Sequence, residues 1–581
     1  MENFLSLCID SRHGRTALPG KIARPRASSL TSLFDNVIFL AELPYLLRWH
    51  YQGRLWPINR SAQQGRETRA QQSDSAAPRQ LPRRNWKGIS TMSTSHHPER
   101  IPLAADPYRP AYHYLPPCKW MNDPNGTIYW KGRYHLFYQH NPDGPWHGNI
   151  HWGHASSEDL VHWTDHPISL TPGPEGPDRQ QCYSGAAFVN AAGIPTHIYH
   201  GVPDGICLAT STDDLLIHWD KHPANPIIPD PGPGGEFVVT GAPCGWVEEG
   251  VHYAVTGNSI NSPDAAYLFR STDMSHWEYM HPFYSGGQFT EPGEDCGCPD
   301  FFLLDGKPVL SFTSHARGAQ FYVGSYVDHR FKPERHKRLA FAETSRPGVY
   351  CEGLTLLDQR NRRILFGRIS EARFGYAQVA SGWSGICALP LLLSLGEDQD
   401  LLFDPVPELE MLRTGHTALR DLQLQADAEV PLAISGDSLE IRATLEWDDA
   451  EEIGLKVRCS PDAREETLVR FNTNPGTRHA PAAQVGPRRE LILDVSRSST
   501  SSEVSNRAAQ RAAFEVPYGS SVDLRIFVDR SVVEVIANRR HYVAKRIYPA
   551  RRDSLGVRAY ARGGSATLRS FDAWHMEAIW P

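Results

Sequence analysis

A short segment that begins with Ser, contains an Asp and ends in His-Trp occurs three times in the chain, and this repeat constrains the fold more than any other feature. The copies run from Ser156 to Trp163, from Ser211 to Trp219 and from Ser271 to Trp277, so their Trp residues are 56 and 58 positions apart. Each copy follows a run of residues typical of a β-strand. A period of this size, with several strands in each unit, is that of propeller blades. The region from about residue 105 to 400 is therefore predicted to be all-β and to form a five-bladed β-propeller.

A second all-β region is predicted after the propeller. Residues 404–407 read Asp-Pro-Val-Pro, and prolines at this spacing interrupt a regular element. Apolar and polar residues alternate again at 439–445 and 524–538, which is the pattern of half-buried strands. We therefore predict domain boundaries at 105–400 and 416–581, with a linker at 401–415.

Composition excludes several classes of function. The net charge of −7 argues against nucleic acid as a partner. The apolar stretch 30–47 is interrupted by Asp35, Glu42 and Pro44, so no membrane span and no clear signal peptide are predicted. The ten Cys are scattered and form no paired zinc motif, which favours buried, reduced thiols and a cytoplasmic rather than a secreted protein. No phosphate loop or nucleotide fingerprint occurs, so neither a cofactor nor a metal is predicted.

Residues 1–91 differ from the rest of the chain. They contain fourteen Lys and Arg against six Asp and Glu, and residues 61–85 are rich in Gln, Arg, Ser and Ala. This composition is typical of disorder. Met92 stands just before the first recognisable domain, so we expect 1–91 to be a mis-annotated extension. A targeting or regulatory arm is the alternative.

Residues 120–126 read Trp-Met-Asn-Asp-Pro-Asn-Gly and contain the first candidate catalytic group. Pro124 restricts Asp123 to an extended conformation. Asn125-Gly126 is a strong signal for the tight turn of a hairpin. Two further short strands are predicted on either side of Lys131-Gly132. A carboxylate held beside aromatic and amide side chains is typical of a sugar-binding site.

This motif, with Tyr-His-Leu-Phe-Tyr-Gln-His-Asn-Pro at 134–142, closely resembles the signature of glycoside hydrolase family 32. That family includes invertases, inulinases, levanases and fructan exohydrolases. The resemblance implies a five-bladed propeller that carries the active site and a C-terminal β-sandwich. It also implies a retaining hydrolase of fructose-containing oligo- or polysaccharides, with Asp123 as nucleophile.

Several other positions match residues that contact the sugar in the family. The resemblance places Gln139 and Trp152 at its sugar-contacting Gln and Trp, and Ser184 in its aromatic-Ser-Gly segment. It also implies substrate-binding roles for Asn122, for Asp300 after Cys-Pro, and for Tyr350.

The sequence departs from the family pattern at two carboxylates. The Asp of the family's Arg-Asp-Pro motif is replaced by Ala242, and the Glu of its Glu-Cys-Pro motif, the acid/base, is replaced by Gly297. Glu294 is our first candidate for the missing acid and Asp295 the second, because a short loop can bring either into the pocket. Glu352 is a further unassigned carboxylate.

Three functions remain open at this point. The first is a retaining β-fructosidase with a rearranged acid/base loop. The second is a fructosyltransferase, in which a sugar replaces water as the acceptor. The third is a fructan-binding protein with little or no catalysis, because two carboxylates are missing.

Overall fold

The computed structural model describes residues 97–258, 264–339, 350–473, 489–513 and 521–580. The predicted extension at 1–91 lies outside the described residues. Strands dominate, and the short helical elements are two 3-10 helices, Pro98–Leu103 and Pro407–Leu412, and one α-helix, α1, Gly375–Ser381. None of the helices in these ranges is long and apolar enough to cross a membrane.

Five antiparallel sheets form the first domain, which confirms the predicted propeller. Their strands are, for blade 1, β1 Lys119–Trp130, β2 Arg133–Asn141, β3 His151–Ser157 and β4 Trp163–Leu170; for blade 2, β5 Gln181–Val189, β6 Pro195–Val202, β7 Gly205–Thr210, β8 Asp220–Lys221 and β9 Ile228–Pro229; for blade 3, β10 Cys244–Glu248, β11 Val251–Thr256, β12 Ala265–Ser271 and β13 Glu278–Ser285; for blade 4, β14 Gly297–Leu304, β15 Lys307–Ser314, β16 Gly318–Val327 and β17 Arg330–Arg338; and for blade 5, β18 Tyr350–Leu357, β19 Arg363–Ile369, β21 Ile386–Cys387, β22 Leu391–Leu395 and β23 Leu401–Pro405.

The first strand of each blade lies next to the axis of the propeller. Strands β1, β5, β10, β14 and β18 contact one another in this cyclic order, and β18 contacts β1. A two-residue strand, β20 Trp383–Ser384, pairs in parallel with the start of β1 and links the end of blade 5 to blade 1. The beginnings of all five inner strands therefore surround one end of the central channel.

The repeat marks the turn between the third and fourth strands of blades 1 to 3. In each copy the Asp carboxylate, that of Asp159, Asp213 or Asp273, accepts hydrogen bonds from backbone N–H groups two to five residues further along the chain. Such a carboxylate turn reverses the chain without a glycine. The repeated sequence thus specifies the same connection three times.

The Asn125-Gly126 turn prediction is wrong. Strand β1 continues through these residues, and its pairing with β2 shifts register on both sides of them, between Met121 and Pro124 and between Asn125 and Ile128. Gly126 has φ +51°, and a Cβ there would lie 2.7 Å from His197 Cε1. A bulge and a tight turn both demand positive φ, so the dipeptide alone does not separate them. The predicted strands on either side of Lys131-Gly132 are confirmed.

Two six-stranded sheets form the second domain, the predicted β-sandwich, and their apolar faces enclose one large core. The strands of the first sheet, in spatial order, are β24 Arg413–Leu424, β35 Ala566–Met576, β26 Ser438–Trp447, β31 Ser521–Asp529, β32 Val532–Ala537 and β33 His541–Arg546; those of the second are β25 Glu429–Ser435, β34 Gly556–Arg562, β27 Glu452–Cys459, β28 Thr467–Asn472, β29 Glu490–Asp494 and β30 Gln510–Ala513.

The segment that leads into β1 is anchored on the sandwich. The buried carboxylate of Asp529 accepts hydrogen bonds from the backbone N–H groups of Ala111, Tyr112 and His113, at 2.6, 2.8 and 3.0 Å. The His113 ring contacts Asp529 through Nδ1 at 2.8 Å and Glu534 through Nε2 at 2.7 Å. Burial acts to lower the pKa of His113, but the two carboxylates raise it to about 9. The imidazolium is therefore charged at neutral pH and holds the two domains together.

Candidate active site

Asp123 lies near the start of β1, within the first of the two register shifts, and its carboxylate is held from two directions. Ser184 Oγ donates to Oδ2 at 2.5 Å, and Arg368 Nε donates to Oδ1 at 3.0 Å. The residue is 7% exposed. A bulge re-aims a side chain relative to a regular strand, so the unusual backbone of β1 sets the direction of this carboxylate.

An amide network supports this arrangement from blades 1 and 2. Gln139 Nε2 donates to Ser184 Oγ at 2.5 Å, so Ser184 accepts from Gln139 and donates to Asp123. Asn122 Nδ2 reaches Gln139 Oε1 at 3.4 Å. The structure thus brings together four of the predicted site residues, Asn122, Asp123, Gln139 and Ser184.

Trp152 lies directly behind this network and is completely buried. Its indole nitrogen donates to the carbonyl of Tyr183 at 3.0 Å, and its ring packs against His197 and Tyr199. In this position Trp152 supports the segment that carries Ser184. Its predicted contact with sugar stays a prediction.

The contacts of Asp300 and Tyr350 are with residues other than Asp123. Asp300 accepts hydrogen bonds from the backbone N–H and hydroxyl of Thr355, at 2.8 and 2.7 Å, and burial raises its pKa. It lines a cavity of about 770 Å³ that the distal ends of β14 and β18 border. Tyr350 is 1% exposed and packs edge to face on Tyr542 of the sandwich. These contacts show how both side chains are held, and their predicted substrate-binding roles stay predictions.

Glu294, the first candidate for the acid, is buried in an ion pair. Its carboxylate accepts from both terminal nitrogens of Arg338, at 3.0 and 2.8 Å, and from Gln320 Nε2 at 2.5 Å. Burial acts to raise the pKa of Glu294, but the hydrogen bonds and charge of Arg338 lower it overall. A carboxylate kept ionised in this way is a poor proton donor, and its predicted role as the acid stays a prediction.

Asp295, the second candidate, holds a histidine. Its carboxylate accepts from the backbone N–H of His315 at 2.8 Å and contacts His315 Nδ1 at 2.5 Å. A Cβ built on Gly297 would lie 3.1 Å from His315 Cε1 and 3.5 Å from His315 Nδ1. The imidazole of His315 therefore fills the space into which a side chain at position 297 would project.

A second carboxylate lies close to Asp123, and sequence reasoning left it unassigned. Arg368 Nε is 3.0 Å from Asp123 Oδ1 and 2.5 Å from Glu352 Oε2, so the two oxygens are at most 5.5 Å apart, the sum of these distances. Burial and the charge of Asp123 raise the pKa of Glu352, although Arg368 opposes them. Glu352 has φ +27° at a bulge in β18, a backbone conformation that non-glycine residues rarely adopt.

One signal in the sequence pointed to this pair. Arg368 stands at the end of the apolar run 364–367 within β19. A charged residue in a buried strand requires a partner of opposite charge, and Glu352 lies on the neighbouring strand. The pairing itself becomes visible only in three dimensions.

Aromatic side chains form one wall beside the Asp123 carboxylate. The ring of His147 contacts Trp120, with centroids 5.2 Å apart, and Tyr183, with centroids 6.5 Å apart. Burial lowers the pKa of His147, while the charge of Asp123 opposes this shift. Trp146 precedes it and is 48% exposed. Partly exposed aromatic rings beside a carboxylate suit the stacking of sugar rings.

Two models of one protein family match nearly all of both domains. Residues 113–405 match the glycosyl hydrolases family 32 N-terminal domain, and residues 408–575 match the glycosyl hydrolases family 32 C-terminal domain. Among the described residues, no group of three or more His, Cys, Asp or Glu is placed to hold a metal ion.

Curated relatives are similar over most of their length. The chain is 30% identical to a sucrose-6-phosphate hydrolase of Zymomonas mobilis, over 82% of this chain and 93% of the relative. It is also 30% identical to a levanase of Bacillus subtilis, over 81% of this chain and 71% of the relative. The solved structure of fructan 1-exohydrolase IIa from Cichorium intybus superposes with a TM-score of 0.73 at 24% identity, covering 81% of this chain and 98% of that one. The two-domain architecture and both family matches agree, and the chain belongs to glycosyl hydrolase family 32.

Proposed function

We propose that this protein hydrolyses β-fructofuranosidic bonds of the sucrose, inulin or levan type with retention of configuration, and that Asp123 is its nucleophile. The relatives named above, a sucrose-6-phosphate hydrolase and a levanase, support this class of substrate. The observation that carries the proposal is the buried Asp123 carboxylate, held by Ser184 and Arg368 next to a partly exposed aromatic wall.

In the first step of this reaction an oxygen of Asp123 attacks the anomeric carbon. The bond from that carbon to the leaving oxygen breaks, its electron pair stays on that oxygen, and a fructosyl ester forms on Asp123. In the second step a water molecule attacks the same carbon and releases the carboxylate. Ser184 and Gln139 keep the attacking group in one orientation through both steps, which lowers the entropic part of the barrier.

The opposite side of the site lacks one contact. Ala242 offers no carboxylate to sugar hydroxyl groups. We expect the loss of such a charged hydrogen bond to weaken binding of a fructose unit by about 1.5–3 kcal/mol.

A fructan-binding protein with little turnover is the second candidate. It is favoured by the direct contact between Arg368 and Asp123, because a cation on the nucleophile reduces its reactivity. A fructosyltransferase uses the same covalent intermediate and differs only in the acceptor.

The test is an assay of the purified full-length protein with sucrose, inulin and levan. Product analysis separates hydrolysis from transfer, and NMR of the first product reports its anomeric configuration. Asp123→Asn is compared with Asp328→Asn, a matched change in an exposed turn between β16 and β17. Calorimetric binding of fructan without turnover by the wild type would establish the binding-protein function instead.

A further inference from the structure

An acid/base group is missing from the family position at Gly297, and the imidazole that fills this space has the contacts of a proton-transfer catalyst. The backbone N–H of His315 donates to the Asp295 carboxylate, and His315 Nδ1 contacts the same carboxylate, which is 1% exposed. Two contacts from one buried carboxylate fix both the backbone and the ring. No partner for Nε2 occurs among the residues that the structure describes, and the side chain is 36% exposed. The geometry therefore leaves one nitrogen for a substrate.

We infer that His315, oriented by Asp295, is the general acid/base of this site and replaces the carboxyl group that Gly297 lacks. This inference rests on the proposed fructoside hydrolysis. His315 is the catalytic residue in it, and Asp295 is a positioning residue, since a carboxylate on Nδ1 fixes the tautomer and orientation of the ring.

The proton balance closes over the two steps. While Asp123 attacks, Nε2 of the imidazolium gives its proton to the departing oxygen, which leaves as a hydroxyl group, and His315 becomes neutral. Neutral Nε2 then takes a proton from the attacking water as the ester bond to Asp123 breaks. The imidazolium and the Asp123 carboxylate are both restored, and no oxidant or metal is consumed.

The surroundings of the ring suit this cycle. The charged groups that act on His315 are Asp295 from the loop before β14, Asp123 from β1 and Glu352 from β18, with Arg368 of β19 in contact with the last two. Burial acts to lower the pKa of His315, but the hydrogen bond to Asp295 and the three negative charges raise it overall. The raised pKa favours the protonated ring, which is the form that the first step requires.

The carboxylates of this region are less suited to the role. Glu294 is committed to Arg338 and Gln320. Glu352 has a raised pKa, but it is 7% exposed and contacts Arg368 through Oε2. Among these described side chains, His315 is the one that combines partial exposure with a position against Gly297.

The experiment compares His315→Gln with the wild type on sucrose and on an aryl fructoside whose leaving group needs no proton. We expect kcat/KM for sucrose to fall by about 10²–10⁴-fold, the usual share of general acid–base catalysis. With the aryl fructoside we expect a rapid burst of one equivalent of the aryl alcohol, followed by slow turnover, because the ester on Asp123 then lacks a base for its hydrolysis. Added azide should accelerate that slow phase and give a fructosyl azide.

His276→Gln is the matched control. His276 also gives Nδ1 to an Asp, Asp273 at 2.8 Å, but in a solvent-exposed turn of blade 3. It should retain wild-type rates on both substrates. Asp295→Asn should move the alkaline limb of the wild-type pH profile to lower pH, since it removes the charge that raises the pKa of His315.

Three results would overturn the inference. If His315→Gln keeps the sucrose rate and pH profile while Asp123→Asn is inactive, the fructosidase assignment stands and His315 is not the acid. Loss of sucrose cleavage with burst and azide rescue in Glu352→Gln, and not in His315→Gln, would assign the role to Glu352. If the wild type cleaves no fructoside, the proposed function fails, and this inference fails with it.

Discussion

The two sides of the candidate site are built in different ways. On the side of blades 1 and 2, Asp123, Gln139 and Ser184 form one hydrogen-bonded network on neighbouring strands. On the side of blades 3 to 5, Ala242 and Gly297 carry no carboxylate, and the charged groups come from other positions. The first arrangement depends on a bulged backbone that fits one glycine, so it resists change. The second depends on side chains at strand ends, where a neighbour such as His315 can occupy a vacated space.

The first prediction removes the proposed nucleophile, Asp123, which lies on the side of blades 1 and 2. Asp123→Asn should lower kcat by about four or more orders of magnitude, because a covalent catalyst loses its attacking group. The shape of the side chain is kept, so the thermal unfolding midpoint should stay close to that of the wild type. A variant with a tenth of wild-type activity would show that Asp123 is not the nucleophile.

The second prediction concerns Arg368, whose guanidinium lies between Asp123 and Glu352. Arg368→Gln leaves Asp123 and Glu352 close together without their shared positive charge, and should destabilise the fold by about 3–5 kcal/mol. Urea unfolding measures this loss. Adding Glu352→Gln removes the unpaired charge, so the double variant should regain part of the stability. Equal stability of the single and double variants would mean that the three groups are not coupled.

The third prediction separates loss of stability at high pH from loss of activity. His113 has its folded pKa raised to about 9, from an ordinary value of 6.5. Its contribution to stability is therefore fully present below pH 6.5 and is lost as the pH rises through about 9. The loss is on the order of 3 kcal/mol, and chemical denaturation at pH 6 and pH 10 measures it.

In His113→Asn the same two measurements should differ less than in the wild type. The alkaline limb of activity, which we assign to His315, should be unaffected by this change. A wild-type stability that does not fall between these two pH values would contradict a charged His113.

The fourth prediction has the smallest effect and concerns the bulged backbone on the side of blades 1 and 2. Gly126→Ala places a methyl group 2.7 Å from His197 Cε1 and 2.9 Å from Trp152 Cζ3, at φ +51°. We expect a loss of about 1–3 kcal/mol in the free energy of unfolding, from overpacking and from the unfavourable backbone. Gly132→Ala is the control, since it shares a positive φ of +87° but has open space around it.

The propeller was predictable because its signals are local. Each Asp of the repeat accepts hydrogen bonds from backbone N–H groups within five residues of it, so the turn between strands three and four is encoded in one short segment. The same reliance on local signals produced the error at Asn125-Gly126, where a positive φ belongs to a bulge rather than a hairpin turn.

The part of the site around Asp123, Asn122 and Gln139 was predictable, because these residues lie close together along the chain. Asn122 and Gln139 lie 17 residues apart, in the two halves of one motif. Arg368 reaches Asp123 across 245 residues, and only the closure of the five blades brings them together. Glu294 and Asp295 are adjacent in sequence, yet one carboxylate faces Arg338 and the other His315. Spacing gives no information on which way each of two neighbouring side chains turns.

The anchoring of the segment before β1 on Asp529 affects the order in which the protein can be completed during synthesis. The backbone N–H groups of residues 111–113 have their acceptor, the Asp529 carboxylate, 416 to 418 residues later in the chain. They therefore cannot form these hydrogen bonds until Asp529 has been synthesised. Domains generally fold as they leave the ribosome, starting from the N-terminus. Here the segment that leads into the strand of Asp123 can form its hydrogen bonds to Asp529 only after the sandwich has emerged, so a nascent propeller lacks this anchor until then.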